Sequence, residues 1–132
     1  MLNLKFKQLL VLSDSTSTAN QFKFQDHWNL ITADDNSVGK STLVKLLFWS
    51  LGCDPVLDET WKNLDCKTLL KFKVGSASYQ VSRYKNTIRL KEKNSEFKKF
   101  DKITGDYSKR LAEILGFKVL LPSKSNGKLE TP

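Results

Sequence analysis

The stretch Asn36-Ser37-Val38-Gly39-Lys40-Ser41-Thr42 limits the possible folds more than any other part of the chain. An apolar run, Trp28-Asn29-Leu30-Ile31-Thr32-Ala33, precedes it, and a second, Leu43 to Leu51, follows. Strand, loop, Gly-Lys-Ser-Thr and helix in this order form the framework of a phosphate-binding P-loop. Backbone N–H groups of such a loop and of the helix N-terminus converge on one spot, where the aligned peptide dipoles favour an anion. Lys40 adds a point charge suited to β- and γ-phosphates, and the Ser41 hydroxyl is a small, hard oxygen ligand suited to Mg²⁺. Gly39 permits close approach of the backbone where a Cβ would obstruct. The full pattern has glycine at position 34, where this chain has Asp34, followed by Asp35. The competing reading of the same residues is an ordinary strand-to-helix turn with a surface lysine.

The segment after the loop is apolar almost all round, with Leu43, Val44, Leu46, Leu47, Phe48, Trp49 and Leu51 interrupted by Lys45, which predicts a helix buried in a core. Gly52 and Pro55 end it. From Cys66 the period changes to two. Thr68, Leu70, Phe72 and Val74 alternate with Leu69, Lys71 and Lys73; after Gly75-Ser76, Ala77, Tyr79, Val81 and Arg83 alternate with Ser78, Gln80, Ser82 and Tyr84. Turns at Lys85-Asn86 and Asn94-Ser95 frame Ile88 and Leu90, and Phe97 and Phe100 add a short last strand. This predicts an antiparallel meander with an apolar face and a basic face carrying Lys71, Lys73, Arg89, Lys91 and Lys93. Upstream, residues 1–12 read as a strand and Phe22 and Phe24 as part of a second. Downstream, Tyr107, Leu111, Ile114 and Leu115 share one face of a helix over 106–115, with Asp106 as N-cap and Gly116 as terminator.

A length of 132 residues suits one small domain, and 39% hydrophobic with 27% charged residues suits a globular chain. No apolar run approaches a membrane span, and the N-terminus lacks a signal-peptide pattern, so a cytoplasmic location is expected. Cys53 and Cys66 match neither a zinc site nor a disulfide framework, and His27 stands without partners at metal-ligand spacing. The net charge of +8 favours phosphate-rich partners, nucleotide or nucleic acid.

A complete P-loop hydrolase also needs an apolar strand ending in an acidic residue and a group to orient water. No such strand follows the loop. Leu9-Leu10-Val11-Leu12-Ser13-Asp14 precedes it and reads as an ordinary strand end. No Asn-Lys-x-Asp guanine-reading motif is present, and a basic meander stands where a small-molecule kinase would have helices.

The order of a strand pair, a P-loop near residue 40, a helix ending Leu51-Gly52-Cys53, a meander, and Thr104-Gly105-Asp106-Tyr107 opening a helix resembles the N-terminal lobe of the head domain of SMC/SbcC-type ABC ATPases. Asn36 to Thr42 looks like that group's Asn-Gly-x-Gly-Lys-Ser-[Ser/Thr], with Ser37 where Gly is usual. The resemblance implies an α/β P-loop NTPase lobe with a mixed sheet over residues 1–121 (loop 34–42, meander 66–100, helix 106–115) and a flexible tail, 122–132. It implies ATP and Mg²⁺ as cofactors: Lys40 on the β/γ-phosphates, Ser41 on the metal, Gly39 and Thr42 binding through backbone N–H, Asn36 shaping the loop that Ser37 and Val38 complete. It implies a role in DNA repair, chromosome processing or anti-phage defence, with DNA as a partner, and a second head, or the rest of this one, closing an ATP sandwich. The Q-loop, coiled coil, signature motif and acidic Walker B strand of that group are not in this sequence, so no catalytic residue is assigned and hydrolysis is expected only from the completed assembly. The alternative is a basic nucleic-acid-binding module with a structural loop.

Overall fold

A computed structural model describes residues 3–26, 40–55, 65–116, 121–122 and 128–130. Strands β1 (Leu4–Ser13), β2 (Thr18–Lys23), β3 (Cys66–Val74), β4 (Ala77–Tyr84), β5 (Thr87–Glu92) and β6 (Lys98–Phe100) form one sheet in the order β2-β1-β3-β4-β5-β6. Helices α1 (Lys40–Leu51) and α2 (Asp106–Leu115) pack on one face of it. Leu121–Pro122 (β7) pairs antiparallel with Leu129–Glu130 (β8), across the boundary set between the expected lobe, 1–121, and the tail, 122–132.

Every pairing in the six-stranded sheet is antiparallel. This corrects the expectation of an α/β P-loop NTPase lobe with a mixed sheet: the architecture is an antiparallel sheet with two short helices, mostly β. The local turns decide it. Two-residue connections at Gly75-Ser76 and Lys85-Asn86 reverse the chain directly, and parallel neighbours would need crossovers of a dozen residues or more. The apolar run 28–33, which was to supply the parallel strand, lies outside the described residues.

Alternation sets the core. In β3, Cys66, Thr68, Leu70, Phe72 and Val74 are buried and their neighbours are not. With Leu9, Val81, Ile88, Leu90 and Phe100 they form the floor on which Leu46, Leu47 and Leu51 of α1 and Tyr107, Ile114 and Leu115 of α2 rest. Phe72 stacks on Tyr79, with centroids 5.4 Å apart. The α1 helix is less enclosed than its composition predicts, because Val44 and Phe48 stay exposed, although the Phe48 ring meets Phe6 of β1 edge-on at 6.5 Å. Asp106 is the first residue of α2 rather than its cap. Gly105 is the cap; it has no side chain to cap the helix N–H groups, and its carbonyl accepts from the Ser108 hydroxyl at 3.0 Å. Gly116 closes α2 in the left-handed conformation, as its position predicts.

Candidate phosphate-binding helix and basic sheet face

Asn36, Ser37, Val38 and Gly39 lie outside the described residues, as do Asp34 and Asp35. Lys40 and Ser41 open α1, and Thr42 follows half-buried in the first turn. The helix therefore begins at the lysine of the motif, which puts its free N–H groups beside the loop.

The opposite end of α1 is held by polar contacts that the apolar composition does not announce. Ser50 Oγ lies 2.7 Å from both the Leu46 carbonyl and Thr68 Oγ1, joining helix to β3 inside the core. The Tyr107 hydroxyl donates to the Leu51 carbonyl at 2.5 Å, and burial pushes its ionisation well above the ordinary phenol range. Gly52 leaves the helix at φ +110°, and a Cβ there would meet Tyr107 Cε1 at 2.6 Å.

Arg83 is the centre of this lock. It is 1% exposed. Its Nη1 donates to the carbonyls of Trp49 (2.7 Å) and Cys53 (2.8 Å), its Nε to the Lys85 carbonyl (2.7 Å), and its Nη2 to Asp54 Oδ1 (2.9 Å). The guanidinium also covers the Trp49 ring at 4.3 Å. A cation here answers two needs of a helix C-terminus, its unpaired carbonyls and the negative end of its dipole. Sequence reading placed Arg83 in line with Ala77, Tyr79 and Val81 without assigning it a role. A charged residue in a core-facing register was the available signal. Cys53 is exposed and Cys66 buried, both free, and partial burial raises the pKa of each thiol.

The other face of the sheet is covered by no described helix. Registers line up its side chains in rows. Lys5 stands opposite Lys73; Lys23, Gln8, Lys71, Gln80 and Lys91 form a second row; Arg89 faces Lys99. Lys67 is paired with Asp14 at 2.9 Å, which raises its pKa, and Lys99 lies 3.5 Å from Asp101. Among the described residues, no carboxylate pairs with Lys71, Arg89 or Lys91; Asp26, held below its ordinary value first by its hydrogen bond to Lys7, is lowered further by Lys5 and Lys73. The face is not uniformly basic, because Leu10 and Leu69 share a row with Arg89 and Lys99, and Leu12 stands opposite Lys67 in the next. Lys5 was missing from the sequence-derived face, since its place opposite Lys73 depends on pairing between strands some sixty residues apart. Lys93 lies in the turn after β5.

Among the described residues, no group of three or more His, Cys, Asp or Glu could hold a metal, and no helix is long and apolar enough to cross a membrane.

An antiparallel six-stranded sheet with two described helices on one face and a largely basic opposite face defines a small, mostly β domain. No family model matches the chain. It is similar to the Lamassu protein LmuB of Bacillus cereus (strain VD014), with 25% identity over 118 residues. That likeness covers 89% of this chain and 21% of the relative, so the chain spans about a fifth of the length of the curated protein it matches.

Proposed function

We propose that this chain is the ATP-binding portion of a larger SMC-like ATPase acting in anti-phage defence. Of the roles that the sequence resemblance left open (DNA repair, chromosome processing and defence), the likeness to a Lamassu protein favours the last. The observation that carries the nucleotide reading is the start of α1 at Lys40, directly after Asn36-Ser37-Val38-Gly39, on a helix whose far end is locked to the sheet. A phosphate group held by its first turn would sit at a fixed point relative to the whole domain. In this reading Lys40 engages the β/γ-phosphates and Ser41 holds Mg²⁺. The acidic half of the catalytic pocket comes from polypeptide beyond this sequence, so the chain binds ATP and turns it over only in the complete assembly. Calorimetric titration of the full-length protein with MgATP tests this. Binding should be lost in Lys40→Ala with the circular dichroism spectrum unchanged. Equal binding by both proteins would refute it.

A second reading is favoured by the sheet face, where Lys71, Arg89 and Lys91 have no carboxylate partner among the described residues and Lys5 directly opposes Lys73. Like charges directly opposite destabilise a sheet, and an anion lying across them relieves the cost. Here the module binds a nucleic-acid backbone and the loop is structural. Affinity for duplex DNA should then fall with salt with a log–log slope of roughly −4, from four to five phosphates neutralised. It should weaken in Lys73→Glu and persist in Lys40→Ala. Binding that ignores salt and Lys73→Glu would remove this reading.

A further inference from the structure

The two edges of the six-stranded sheet are unlike. β6 is three residues long and begins with two lysines, which blunts that edge against pairing. β2 runs six residues, Thr18–Lys23, with one charge at its end, no proline and an unbroken register against β1. All of it but Phe22 is exposed. Phe24 N–H donates to the Lys7 carbonyl at 3.0 Å, which establishes the direction of every backbone group along β2. Hydrogen bonding alternates in an antiparallel pair. Thr18, Asn20 and Phe22 therefore share the inward direction of Phe24, and Ala19, Gln21 and Lys23 turn their N–H and C=O groups away from β1. No described strand meets them.

We propose that this edge pairs with β2 of a second copy of the chain, antiparallel, about a two-fold axis through Gln21. The residue on such an axis faces itself, and for a hydrogen-bonded pair it must be one that points outward. Centring on Lys23 would set lysine against lysine. Centring on Gln21 engages all three outward residues: Gln21 faces its own copy, and each Ala19 faces Lys23 of the other chain. Each of these three pairs exchanges two hydrogen bonds. The two Lys23 ammonium groups stand about four residues apart along the strand, roughly 13 Å, beyond the screening length of about 8 Å at physiological salt. Phe22 lies beside the partner's Asn20. The axis is perpendicular to the sheet, so the open basic faces of both copies lie on the same side and become one surface. A single strand pair buries little area, and the association belongs to the weak, concentration-dependent class.

Sedimentation equilibrium of the full-length protein without nucleotide tests this proposal independently of any ATP or DNA binding. The wild type should dimerise with rising concentration. Ala19→Glu places a carboxylate opposite Lys23 twice per dimer and should tighten it roughly two- to thirtyfold, and Ala19→Lys should weaken it by a similar factor. Gln21→Pro removes an N–H that the β1–β2 ladder does not use, and should give monomers with an unchanged circular dichroism spectrum. A wild type that stays monomeric, or a dimer indifferent to both Ala19 substitutions, overturns the proposal.

Discussion

Replacing Arg83 by methionine tests whether a buried cation holds α1 to the sheet. The side chain is 1% exposed and makes four hydrogen bonds, three of them to main-chain carbonyls at 2.7–2.8 Å. Methionine has similar length and fills the slot over Trp49, so little cavity forms. The carbonyls of Cys53 and Lys85 lose this donor, whereas Trp49 keeps the Gly52 N–H at 3.0 Å. Hydrogen bonds to a charged group contribute about 1.5–3 kcal/mol each, and releasing the guanidinium to water in the unfolded chain offsets part of their sum. A net loss of about 2–4 kcal/mol follows. For a domain of this size that lowers Tm by roughly 6–16 °C. Asp54 contributes little, because its side chain is 65% exposed and solvent screens the pair. Urea and thermal unfolding followed by circular dichroism would give both values, and hydrogen exchange would show the α1 amides losing protection first. The reasoning fails if Arg83→Met is within about 0.5 kcal/mol of wild type. It fails equally if Asp54→Asn costs as much as Arg83→Met, since the surface ion pair and not the carbonyl bonds would then hold the helix.

Gly52→Ala should destabilise by about 2–5 kcal/mol, from the strain of a side chain at positive φ together with its clash on the buried Tyr107 ring; a loss below about 1 kcal/mol in a urea melt would show that the ring yields. The Arg110 guanidinium hydrogen-bonds Glu92 and holds its carboxyl below the ordinary value of 4.5. The unfolded chain therefore binds the proton more readily. This contribution is present above the ordinary value and is lost as pH falls through the depressed one. Urea midpoints between pH 3 and 7 should drop at the acid end by less in Glu92→Gln than in wild type, and parallel curves would count against the pair.

The meander was legible because its signals are local. Alternation in Cys66–Val74 and Ala77–Tyr84 and the turns between them need only neighbouring residues to be read, and the strands lie where those patterns put them. The mixed sheet was misjudged for the opposite reason. The P-loop motif describes one strand, one turn and one helix, and carries no information on how distant strands pair. For the candidate site, the helix begins at Lys40, three residues before the apolar run from Leu43 that predicted it, and residues Asn36 to Gly39 lie outside the described structure. The lock on α1 was largely hidden: Arg83 is marked only by its core-facing register, Ser50, Thr68 and Tyr107 are unremarkable in their own segments, and they become partners only when the helices are laid on the sheet.

Periodicity, turn chemistry and charge are properties of short windows, and from them the chain itself determined the strands of the meander, the two described helices and the excess of cations on one side of the meander. Tertiary structure decided what depends on pairing across long separations. It set β1 beside β3, placing Lys5 against Lys73, left β2 at the edge of the sheet among the described residues, and buried Arg83 beneath the end of α1. The physical cause is the same in each case. Registry between distant segments is settled by the combined burial of Leu9, Leu70, Val81 and Ile88, a quantity that no single window of residues contains.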